Sequence, residues 1–178
     1  MTNRDPDPAR PDASEYPPYY AGYIAVVPDG PILATLAAQG RDTLALLTGV
    51  SDERALRRYA PGKWSLNEVV GHVIDIERLF GMRALAFARG ERSRLFGIEH
   101  DDWVAAADFD ARPFAELLLE FEAVRRSTLT LFGGFRGAQW TQRGVASGVE
   151  FAVRAIPWIL AGHERHHVGV IRERYLAA

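Results

Sequence analysis

Apolar residues recur every three or four positions along most of this chain, and that spacing predicts helices rather than strands. The first helix opens at Asp29-Gly30-Pro31, where proline suits a first turn that has no use for its N–H. Ile32, Leu33, Leu36, Leu44, Leu46 and Leu47 then carry its apolar face to about Thr48. A short helical turn is expected over 51–58, and Pro61-Gly62 marks a turn. Ser65-Leu66-Asn67-Glu68 has the form of a capping box and starts the second long helix. Its inward stripe reads Val69, His72, Val73, Ile76, Phe80, Arg83 and Phe87, and Gly90 stops it. Residues 91–112 form a long connection, expected to be partly helical or functional because structureless loops of that length are uncommon. Pro113 opens a third helix through Phe114, Leu117, Leu118, Phe121, Val124, Leu129 and Phe132, ended by Gly133-Gly134. Ser147-Gly148-Val149-Glu150 resembles a second capping box and would start the last helix near Gly148. Pro157 would then kink that helix unless it begins near Ala155. The helix runs to about Tyr175. No strand alternation or internal repeat is evident, so the expected fold is an all-α four-helix bundle over residues 31–178. Residues 1–30 are Pro-rich and are expected to be an extended segment preceding it.

The composition narrows the chemistry. The 178 residues suffice for one domain with its own core. A net charge of −2 offers no electrostatic reason for nucleic acid or an anionic membrane as partner. No apolar run approaches the ~18 residues of a membrane helix. The first twenty residues lack the apolar stretch of a secretory signal, so a cytoplasmic protein is expected. The chain has no cysteine, which excludes disulfides, a thiol nucleophile and thiolate metal ligands. Any metal must be held by imidazole, carboxylate or water, and attention moves to the five histidines.

Two of these, His163 and His167, are four residues apart on the last helix. They differ by about 40° around the axis and stand ~6 Å apart, close enough for both imidazoles to chelate one ion. Both fall in the stripe of Ile156, Ile159, Leu160, Val170 and Ile171 and so point into the bundle. A single inward histidine is most simply a hydrogen-bonded core residue. An i, i+4 pair joined by His72 on another inward stripe points instead to a divalent metal such as Zn²⁺, Ni²⁺ or Fe²⁺. His163-Glu164-Arg165-His166-His167 also fits the HExxH pattern of zinc proteases. Those enzymes take a third ligand downstream, and only eleven residues follow His167 here.

The order of these pieces resembles a known family. Trp64-Ser65, Glu68, Gly71-His72, Asp75 and Glu77-Arg78-Leu79-Phe80, then Phe96-Gly97-Ile98, Asp102-Trp103-Val104 and Gly162-His163 with His166-His167, are similar to the DinB/YfiT-like superfamily. The resemblance covers about residues 31–176. It implies a four-helix bundle whose metal triad, one histidine on the second helix and an HxxxH pair on the last, matches His72, His163 and His167. It also implies a homodimer, and a transferase that uses a low-molecular-weight thiol of the bacillithiol or mycothiol kind.

Three protein ligands leave an open position, which is the arrangement of catalytic rather than structural sites. The expected activity is therefore thiol transfer to a small electrophile, with small-molecule hydrolysis as the alternative. A non-catalytic small-molecule-binding or stress protein is the third reading. Asp75, one turn from His72, is a candidate to orient a ligand, or else a solvated flank. Glu164 is a candidate base, although a straight helix turns it about 80° from the stripe and toward the surface. Glu77 and Arg78 are expected at the surface or in helix contacts, and Arg83 in an internal ion pair. His100 and Trp103, on the long connection, either cover the site or are a packing tryptophan beside an exposed histidine.

Overall fold

The computed structural model describes residues 7–177; the first six residues of the Pro-rich segment lie outside it. Four long helices form the body: α2 (Ile32–Leu47), α4 (Leu66–Ala88), α6 (Phe114–Gly133) and α7 (Ala155–Val170). Short helices α1 (Ala21–Ala25), α3 (Asp52–Ala55) and α5 (His100–Ala107) join or precede them. The α4 start is a true capping box. The Ser65 hydroxyl accepts from the Glu68 N–H, and the Glu68 carboxylate accepts from the Ser65 N–H at 2.7 Å.

The structure corrects the sequence reading in two places. First, residues 143–152 are not the start of the last helix but a β-hairpin, with β1 (Arg143–Ala146) antiparallel to β2 (Val149–Ala152). Ser147 and Gly148, with φ of 54° and 76°, make the two-residue turn that such hairpins favour. What resembled a capping box is this turn. α7 therefore starts at Ala155, and Pro157 sits in its first turn, where no N–H is missed. The 91–112 connection is partly helical, through α5 and a 3₁₀ turn at Phe109–Ala111, which is one of the two forms expected of it. Second, residues 7–30 are not extended throughout. They hold two 3₁₀ turns and α1, which packs on α7.

That N-terminal segment is tied down by charge. Arg10 donates to the carbonyls of Ile24 and Val27 at the end of α1, and its guanidinium lies 4.5 Å from the Trp158 ring. Arg154 holds Glu15 and Asp12. Gly162 lets the backbones meet, since a Cβ there would lie 2.0 Å from the Tyr23 carbonyl oxygen.

The core falls into two buried clusters. One joins the C-terminal half of α4, the N-terminal half of α7 and the hairpin, including Ile76, Phe80, Phe151 and Ile159. The other joins the N-terminal half of α4 to α6 and the chain end, including Val69, Val73, Phe121 and Ile171. On α7, His163 and His167 lie between Ala161 of the first cluster and Ile171 of the second, while on α4 His72 lies among residues of the second.

Candidate metal centre

His72 comes from the second turn of α4 and His163 and His167 from successive turns of α7. Their ligating atoms all lie within 4.8 Å of one another. The Nε2 of His163 is 3.1 Å from that of His72 and 3.1 Å from that of His167. One neutral ring nitrogen carries either a single proton or a single in-plane lone pair, so it cannot satisfy two such neighbours by hydrogen bonding alone. Three nitrogens each ~2.0–2.1 Å from a shared ion would stand about 3.0–3.4 Å apart. The separations observed fit one divalent ion.

The surroundings keep these rings neutral. Burial, reinforced by His100, lowers the pKa of His72 to about 4. Burial also takes His163 well below the ordinary histidine value, and brings His167 down to about 3 with help from His72. Neutral imidazole is the form that binds metal, so this environment favours a cation over protons.

The triad opens into a cavity of about 170 Å³ that all five histidines of the chain line. His100, the first residue of α5, stands with its ring 5.3 Å from that of His72, and Trp64 lies 4.8 Å away on another side. His166 borders this cavity and also a wide groove of about 650 Å³ between α1 and α7, which carries Arg165. Tyr19, Tyr20 and Tyr23 of the N-terminal segment complete the wall, with Tyr23 5.7 Å from both His163 and His166. Burial raises the Tyr23 hydroxyl to about 12, so it stays protonated at neutral pH. The sequence reading missed these tyrosines. Their only signal was aromatic density in a Pro-rich stretch, which has no periodicity to orient it.

The remaining candidates lie elsewhere. Glu164 is not at the surface but buried, turned away from the triad. It accepts from Arg125 Nη1 at 2.9 Å, Thr43 Oγ1 at 2.7 Å and Gln39 Nε2 at 3.0 Å. Glu77 is buried too and takes a bidentate pair from the same Arg125. Asp75 is half-buried beside Arg78, 3.9 Å away, and does not line the cavity. Burial raises its pKa. Arg78 is exposed and pairs with Glu120. Among the described residues Arg83 has no ion-pair partner; it donates to the Phe96 carbonyl and Ser147 Oγ. Trp103 is partly exposed against Phe96 and does not line the cavity.

A helical bundle with three imidazoles, two of them buried, converging from two helices defines a class of protein, and comparison with known families places the chain within it. The family model of the DinB superfamily matches residues 35–171, and the chain belongs to that superfamily. Among solved structures it is similar to YfiT from Bacillus subtilis, with a TM-score of 0.68 at 15% identity, over 92% of this chain and 89% of that one. That protein is described as a probable metal-dependent hydrolase with an unusual four-helix bundle topology. No match is found among curated proteins.

Proposed function

We propose that this chain is a metal-dependent enzyme that hydrolyses a small molecule, with His72, His163 and His167 holding one divalent ion. The observation that carries the reading is the convergence of three neutral imidazoles on one wall of a cavity, with the His163 Nε2 3.1 Å from the Nε2 of both His72 and His167. A bound ion would supply Lewis acidity at a position left open by only three protein ligands. His100 and His166 face the same cavity without belonging to the triad and are the groups positioned to take and return a proton. The Tyr23 hydroxyl, held protonated, is a donor for a developing negative charge. The likeness in fold to YfiT, described as a probable metal-dependent hydrolase, supports this choice.

Thiol transfer is the second reading, favoured by one feature. No carboxylate lines the cavity, and a thiol of ordinary pKa near 8.5 gives up its proton far more easily than water does. The charged part of a thiol of the bacillithiol kind would lie in the groove beside Arg165.

The deciding experiment incubates metal-loaded protein with 4-nitrophenyl esters, and in parallel with 1-chloro-2,4-dinitrobenzene and a small thiol. Ester turnover that His163→Ala abolishes supports hydrolysis. Conjugation without ester turnover replaces it with transfer, and neither activity in loaded protein overturns both.

A further inference from the structure

The cavity wall beside the histidines is aromatic and uncharged. Tyr20, Tyr23, Trp64 and Phe80 face it together with Ile76 and Ile159, and no Asp, Glu, Lys or Arg is among the described residues that line it. The guanidinium of Arg83 packs 5.0 Å from the Phe80 ring, but its Nη2 is committed to Phe96 and Ser147. A cavity of about 170 Å³ is little larger than an apolar cavity of about 150 Å³ known to admit benzene. It matches one six-membered ring with a small substituent more closely than a fused bicycle.

We propose that this cavity selects substrates presenting a single uncharged ring, and that the tyrosines of the N-terminal segment are its selecting wall. The inference rests on the metal-dependent reading for the end of the substrate that meets the triad, and on the wall alone for the ring. Tyr20 stacks against Phe80 and Phe151, 5.8 and 5.5 Å away, which fixes its ring from behind. Tyr23 is seated over His163 because α1 meets α7 backbone to backbone at Gly162. A charged substituent would lose its hydration there with no partner in return. Gly162 is therefore a positioning residue: a side chain there lifts Tyr23 off the cavity without touching the histidines' own helix face.

The test uses full-length cobalt-loaded protein, with metal content measured first and hydroxamate binding followed by the cobalt absorption bands. Benzohydroxamate should bind at least about tenfold more tightly than acetohydroxamate, which lies inside what burial of a phenyl ring supplies. The monohydroxamate of succinate and 2-naphthohydroxamate should each bind more weakly than benzohydroxamate. Tyr20→Ala, Tyr20→Leu and Gly162→Ala should shrink the phenyl preference to about threefold or less in Ala and Gly162 variants, and keep part of it in Leu. The readout is the ratio of the phenyl to the methyl affinity, so a loss common to both probes does not count as a change in selection. Equal affinity for the phenyl and methyl probes, preference for the succinate or naphthyl probe, or indifference to the tyrosine substitutions would overturn the proposal. If the protein takes up no metal, the proposed function fails, and phenol binding to the metal-free chain, read by NMR at Trp64, decides the wall. Saturable binding lost in Tyr20→Ala sustains it, and no binding overturns it.

Discussion

His163 and Glu164 are neighbours on α7, both buried, and they face two different polar clusters. On one side three imidazoles meet with no counter-charge. On the other, Arg125 bridges Glu77 and Glu164, while Thr43 and Gln39 satisfy further carboxylate lone pairs. α4 contributes to both, through His72 and Glu77. The second cluster is complete: each charge has its partner and each oxygen named accepts a hydrogen bond. The first is incomplete, because one nitrogen faces two others that it cannot both satisfy. Buried polarity that closes on itself holds helices in register. Buried polarity whose members converge without satisfying one another is built to hold a further group.

The comparison breaks most visibly at the closed cluster. Arg125→Met should cost about 3–5 kcal/mol in urea unfolding, because two buried carboxylates lose their cation. A loss under about 1 kcal/mol would show the network to be open to water. The converging cluster should behave in the opposite way. His163→Leu should change metal-free stability by less than about 1.5 kcal/mol, since an isolated buried imidazole gives way to an apolar group. Wild-type protein at a zinc concentration 100 times its Kd should gain about 2.7 kcal/mol, and the variant nothing.

A pH series sharpens the contrast. The folded pKa values of His72 and His167 lie below the unfolded value of about 6.5, at about 4 and about 3. The unfolded chain therefore binds more protons in that window, and stability of the metal-free protein falls as pH drops from 6.5 toward 4. Each histidine contributes a slope of up to ~1.4 kcal/mol per pH unit. His72→Phe should remove its share between pH 6.5 and 4, and change nothing above pH 7.5. The smallest effect belongs to Arg78→Ala. Arg78 itself is exposed, so water competes for its pairs with Glu120 and Asp75, and unfolding should shift by less than about 1 kcal/mol.

Much of this arrangement was legible in the sequence, and the exceptions share a cause. Long amphipathic stripes located α2, α4 and α6, because each buries one face and 3.6-residue periodicity records it. The same periodicity put His72, His163 and His167 on inward stripes. It failed for Glu164 because α7 is covered on more than one side, by α1 and α4 and also by α2. A residue 80° from the stripe centre can then be as buried as the stripe itself. The hairpin escaped because four-residue strands are too short to display alternation, and because Ser-x-x-Glu is shared by caps and turns. The N-terminal tyrosines escaped for a different reason. Their position depends on Gly162 and Arg10, contacts that span most of the chain or the length of a turn-rich segment, and no local pattern encodes them.

The central claim is that the three converging imidazoles hold one ion, and X-ray absorption on untagged, zinc-reconstituted protein tests it most directly, with stoichiometry by mass spectrometry on the same samples. The account predicts one zinc per chain with three imidazole nitrogens at ~2.0–2.1 Å. Stoichiometric binding should be lost in His72→Ala and in His163→Ala, and retained in His100→Ala. Zinc absent from the reconstituted protein, or held with undiminished stoichiometry in His163→Ala, would contradict it.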